Sequence, residues 1–157
     1  MPRGPSAVTG RHFAREMRTI RLESHRSTYR QVARQLRLLQ RRYEGKLARN
    51  RYLRLEIRRR IGEAFVNEAI LHKCPYSTCR AAFSKLFVLG FSTNELKWHY
   101  CLLYARVALE HGHRRIAYRI ADSMYNELSK WLKFHRSSAG KELLDLIRVL
   151  MQKSSRV

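Results

Sequence analysis

Arg26, Arg30, Arg34, Arg37 and Arg41 recur at steps of three and four residues, the spacing that brings side chains onto one face of an α-helix. A row of guanidinium groups suits one kind of chemistry in particular. Each planar fork can hold two oxygens of a phosphate and can stack on a base, whereas lysine offers a hydrated point charge. Nothing nearby neutralises the row, because residues 26–42 contain no Asp or Glu. Like charges one turn apart then repel, at a cost of roughly 0.2–0.5 kcal/mol per pair. A polyanion lying along the face reverses that sign and gives up its own condensed counterions in doing so.

The rest of the chain sharpens this picture. Its 157 residues include 33 Lys+Arg against 12 Asp+Glu, a formal net charge of +21, with Arg outnumbering Lys 25 to 8. Residues 1–60 hold 17 Arg and one Lys against four Glu, a net +14, and the remainder carries +7. Apolar residues make up 45% of the chain, an ordinary share for a globular domain, so a core can form and the charge belongs to the surface. The candidate nucleic-acid-binding set extends from the row to Arg11, Arg15 and Arg18 before it and to Arg42, Arg51, Arg54, Arg58 and Arg59 after it. Tyr29, Tyr43 and Tyr52 are interleaved with these cations and could stack on unpaired bases, although Tyr29 and Tyr43 fall on the apolar stripe.

Other chemistries find weaker footing. Cys74 and Cys79, with His99 or with His111 and His113, invite a zinc reading, but "CPYSTC" is looser than a two-residue knuckle and no compact His pair follows in register. Neither a metal nor a cofactor is expected. Three cysteines do not suggest a disulfide scaffold. "RVALEH", Arg106 to His111, has the Arg-x4-His spacing of the HEPN ribonucleases, which resemblance would imply RNA cleavage, yet Val107 replaces the polar residue that follows the Arg in that family. No phosphate-binding glycine loop, nucleophile elbow or paired-carboxylate site is present, so no catalytic residue is assigned and the chain is read as a non-enzyme. "FVLGFSTNEL", Phe87 to Leu96, resembles the turn of a helix-turn-helix, but the following helix offers Trp98, Tyr100, Leu102 and Leu103 where base readers are needed.

These residues need helices to position them. Residues 1–25 read as a basic N-terminal arm, irregular at its start, where two of the three prolines and two glycines fall within the first ten residues. Residues 26–73 read as a long Arg-rich amphipathic helical segment. Tyr29, Val32, Leu36, Leu39, Tyr43 and Leu47 form its apolar stripe, and Gly45 with Asn50 marks a bend that would make it a helix pair. Residues 74–157 read as a compact helical bundle. Its punctuation is Pro75, Gly90, a capping box at "STNE" from Ser92, Gly112 and "HRSSAG". In the same region the hairpin from Leu103 to Leu128 resembles a tetratricopeptide unit in the placement of Ala105 and Ala117, without a second copy. The fold class is all-α, a helical bundle.

Together these features point to a non-catalytic RNA-binding component of a ribonucleoprotein. In layout the chain resembles a mitochondrial ribosomal protein, with rRNA phosphates and neighbouring proteins of a larger assembly as partners. The acid-free first 15 residues have the composition of a mitochondrial transit segment, and an intracellular setting is otherwise expected. No membrane partner is expected, since no stretch reaches the roughly 18 apolar residues of a spanning helix. The alternatives are a DNA-binding or nucleoprotein-packaging factor and a helical-hairpin protein-protein adaptor.

Overall fold

The computed structural model describes residues 5–46 and 49–155. Among the described residues the chain is all-α, with seven helices and no strand: α1 (Pro5–Glu23), α2 (Tyr29–Lys46), α3 (Arg51–Leu71), α4 (Tyr76–Leu89), α5 (Asn94–Glu110), α6 (Arg114–Leu132) and α7 (Ser138–Ser155). A single 3-10 turn, Ser24–Arg26, precedes α2. The chain divides into two compact units, Met1–Gly90 and Phe91–Val157. The division falls later than residue 74 because α4 packs on α3. Leu86 Cδ1 would lie 3.2 Å from a Cβ on Gly62, so that glycine lets the two helices close up.

In the first unit α1 packs on α2, α2 on α3 and α3 on α4. The expected irregular arm is instead helical from Pro5 to Glu23, and residues 1–4 lie outside the described residues. Pro5 stands at the first helical position, where its missing amide is no loss. Phe13, Met17 and Ile20 recur on one face and join the cluster formed by Val32, Leu36, Leu39, Tyr43, Ile57 and Ile61. Tertiary burial thus overrides the poor helix propensity of Gly10. The helix pair within 26–73 is present, and Leu47 lies outside the described residues. Thr28 and Gln31 form a reciprocal capping box, each side chain accepting from the other's backbone N–H, at 3.2 and 2.9 Å. That box starts α2 at Tyr29 and leaves Arg26 in the preceding turn. Asn50 caps α3 by accepting from the Leu53 amide at 3.1 Å.

The ends of α3 and α5 use the same device with different residues. After α3 the Cys74 amide donates to the Ala69 carbonyl and the Lys73 amide to that of Ile70, while after α5 His113 donates to Ala108 and Gly112 to Leu109. Both are Schellman closures, which place one residue in the left-handed region. Gly112 takes that role at φ 83°, and Lys73 takes it at φ 49°. Lysine pays a steric penalty there that glycine does not. Lys73→Gly is therefore expected to stabilise the protein by roughly 1 kcal/mol, and Gly112→Ala to destabilise it by about as much, both readable in urea unfolding.

The second unit is a three-helix arrangement in which α6 packs on both α5 and α7. Its core holds Trp98, Leu102, Ala105, Ala121, Met124, Leu128, Ile147 and Leu150. Trp98 meets Trp131 edge-on at 5.2 Å. α6 buries Ala117, Ala121, Met124 and Leu128, α7 buries Ile147 and Leu150, and α5 buries Trp98, Tyr100, Leu102, Ala105, Val107 and Ala108, with Leu96, Leu103 and Tyr104 half-buried. The cap of α5 is Thr93, one residue beyond Ser92, accepting from the Leu96 amide at 3.2 Å. Ala105 and Ala117 are fully buried, as close helix contact requires. Lys97 Nζ clips α5 to Glu127 of α6 at 3.0 Å.

Candidate nucleic-acid interface

The buried residues of α2 are Val32, Ala33, Leu36, Leu39 and Tyr43. With 3.6 residues per turn, Arg30, Arg34, Arg37 and Arg41 fall within an arc of about 60°, centred about 140° from that buried face. All four side chains are exposed. None of them forms an ion pair among the described residues. The α2 helix therefore has one side committed to the core and another that is a bare guanidinium row. Arg26 is exposed as well, but on the 3-10 turn rather than on α2.

Four of the six acids in this unit are engaged elsewhere. Glu16 of α1 bonds Arg42 of α2, Glu44 of α2 bonds Arg58 of α3, and Glu56 pairs with Arg60 within α3 at 3.3 Å. Glu68 is buried beside His72, 3.3 Å away. The first two pairs join successive helices, so Arg42 and Arg58 are committed to the fold as well as to the surface. Arg59 donates through Nε and Nη2 to the Leu89 carbonyl, both at 3.3 Å, satisfying the end of α4. Arg54 is half-buried, with its Nε enclosed and without an acceptor. Such commitments gather on α3 because it is covered by α2 on one side and by α4 on another. Arg51, in its first turn, remains exposed.

Burial alone would raise the Glu44 carboxyl, but the hydrogen bonds it accepts from Arg58 and Gln40 outweigh that and hold it below its ordinary value of 4.5. A carboxyl lowered in the folded state adds stability above its unfolded pKa and loses it as pH falls through the folded one. Glu44→Gln should accordingly flatten the acid side of a stability-versus-pH profile below about pH 4.5 and change its neutral plateau modestly, since the pair is partly solvated. An unaltered acid limb would show that the α2–α3 clip contributes nothing.

On α1, Arg11, Arg15 and Arg18 are exposed, on the side opposite Phe13, Met17 and Ile20. Arg21 is exposed on the same helix, about 60° round from Arg18 toward Met17, and falls outside the set expected from the sequence. Its signal was available as one more cation a turn beyond Arg18. Of the three interleaved tyrosines, Tyr43 is buried, and burial together with Glu16 pushes its phenol up to about 12. Tyr29 is half-buried beside His72, while Tyr52 is 73% exposed and free to stack.

The remaining candidates separate. Cys74 and Cys79 are both buried, and Cys79 Sγ lies 3.7 Å from the Cys74 carbonyl and 3.9 Å from that of Ala69. Burial pushes both thiols up, and Cys101 up to about 11, so none is a ready thiolate. Among the described residues no three His, Cys, Asp or Glu side chains converge as a metal would need. Arg106 is exposed on α5 and His111 lies just past its end. Trp98, Tyr100 and Leu102 are buried, so the helix after the Gly90 turn does not offer them to DNA bases. No helix among the described residues is long and apolar enough to cross a membrane. Comparison with protein-family models, with curated proteins and with solved structures finds no match to this chain.

Proposed function

We propose that the protein is a non-catalytic RNA-binding component of a ribonucleoprotein, of the mitochondrial ribosomal type. The observation that carries this reading is the exposed row Arg30, Arg34, Arg37 and Arg41, left without acidic partners while Glu16, Glu44 and Glu56 are spent on other arginines. Guanidinium groups on consecutive turns can follow a phosphate backbone, which supplies affinity with little sequence discrimination. Arg11, Arg15, Arg18, Arg26 and Arg51 are further exposed cations of the same unit. RNA is favoured over DNA because the helix that follows the Gly90 turn, where a helix-turn-helix would carry its base readers, buries Trp98, Tyr100 and Leu102 instead. The mitochondrial setting rests on the basic, acid-free composition of the first 15 residues and does not call for their removal, since Phe13 belongs to the core.

Binding to a structured RNA and to duplex DNA, measured by fluorescence anisotropy over a salt series, tests the reading. RNA should be held more tightly, with a log–log slope of about −3 or steeper, as four or more phosphate contacts imply. Tighter binding to DNA would move the assignment to a DNA-packaging factor, and binding to neither would favour a protein-protein adaptor.

A further inference from the structure

The second unit carries a basic cleft of its own. Arg115, Tyr118, Arg119 and Asp122 of α6 face Ser154 and Ser155 of α7 across a cleft of about 510 Å³. The cleft is shallow and open to solvent rather than enclosed. Arg115 and Arg119 are exposed and one helical turn apart, so they repel each other when the cleft is empty of anions. Asp122 does not relieve them, since no ion pair joins it to either among the described residues. The first turn of α6 holds no acid, which leaves the positive end of the helix dipole to add to the same field.

Donors and acceptors are sorted along this cleft. Arg115 and Arg119 come first, and Asp122 follows them by about 10 and 5 Å along the helix axis. Across from them, the Ser154 hydroxyl donates to the Leu150 carbonyl at 2.7 Å and the Ser155 hydroxyl to that of Gln152 at 3.0 Å. Both hydroxyls thus donate their proton within α7, and that of the exposed Ser155 keeps its lone pairs available as an acceptor. Tyr118, 41% exposed, stands one turn after Arg115 and one turn before Asp122 on the same helix. A site for a bare anion has no use for a carboxylate among its arginines. A ligand with a phosphate, a flat ring and hydroxyl or amino donors uses every one of these groups.

We propose that this cleft binds a nucleoside monophosphate group. Arg115 and Arg119 hold its phosphate, Tyr118 stacks on its base, and Asp122 with Ser155 accepts hydrogen bonds from the sugar or base. The site lies in the unit that does not contain the α2 arginine row, and it stands or falls separately from the reading above.

Isothermal titration of the full chain with adenosine monophosphate, inorganic phosphate and adenosine tests this directly. Adenosine monophosphate should bind saturably at one site, more tightly than either of its parts. The double substitution R115Q and R119Q should weaken it roughly tenfold or more, and Tyr118→Ala should weaken it while leaving phosphate binding unchanged, each variant being checked for native circular dichroism. The quadruple α2 variant R30Q, R34Q, R37Q and R41Q should bind the nucleotide normally. Displacement of the nucleotide by a short RNA with a 5′-phosphate, and not by its 5′-hydroxyl form, would assign the site to RNA ends. No displacement by either would assign it to free nucleotides, and the proposal stands in both cases. Absence of saturable binding, equal affinity for inorganic phosphate, or an unaffected Tyr118→Ala variant would overturn it.

Discussion

Replacing Arg30, Arg34, Arg37 and Arg41 together by Gln is expected to weaken binding to structured RNA by about 100- to 1,000-fold near 0.15 M salt. It should also reduce the steepness of the salt dependence by about 3 units, as the loss of four phosphate contacts implies. The protein itself should not suffer. These four side chains are exposed and make no ion pair among the described residues, and each i,i+3 or i,i+4 repulsion removed favours α2 by a few tenths of a kcal/mol, roughly 0.2–0.5 per pair. Thermal unfolding should show the midpoint unchanged or slightly raised. Arg42→Gln and Arg58→Gln provide the contrast, since each breaks a bond between helices. A quadruple variant that unfolds would make the row structural, and one that binds RNA with an unaltered salt slope would remove the basis of the proposed function.

Phe13→Ala is expected to produce the largest effect on stability, about 3 kcal/mol or more, the usual loss for emptying a buried phenylalanine site. Phe13 is 2% exposed and meets Tyr43 edge-on at 5.2 Å. Because α1 rests chiefly on α2, much of that loss should appear as local opening of α1 rather than as melting of the whole unit. Amide hydrogen exchange should then run about 100-fold faster in α1 and change less in α3 and α4, since each 1.4 kcal/mol is a factor of ten. Equal acceleration throughout the unit would show that α1 is part of one cooperative block. In either case the contribution of Arg11, Arg15 and Arg18 to RNA affinity should fall, because an undocked helix holds its cations less firmly in place.

Local pattern alone was enough for the helices and for the two faces of α2. Val32, Leu36, Leu39 and Tyr43 recur at helical steps, and Arg30, Arg34, Arg37 and Arg41 do so out of phase with them, so their separation follows from the 3.6-residue turn whatever the helix packs against. Gly90 and Gly112 ended helices as expected, because both sit at positive φ, 76° and 83°, which glycine adopts without a steric penalty. By contrast, the order of α1 depended on a partner. Its prolines and glycines argued for an irregular arm, and only the docking of Phe13, Met17 and Ile20 beside α2 makes helix the lower free-energy state. The same limit governed the arginines of α3: Arg54, Arg58 and Arg59 look alike along the chain, yet one is half-buried, one bonds Glu44 and one satisfies the end of α4. What a cation does is decided by which acids and carbonyls the fold brings within reach, and those come from residues 14 to 30 positions away. Sequence spacing determined where charge would gather on each helix, and tertiary packing alone decided which of those charges remained free, because neutralisation is a property of neighbours in space.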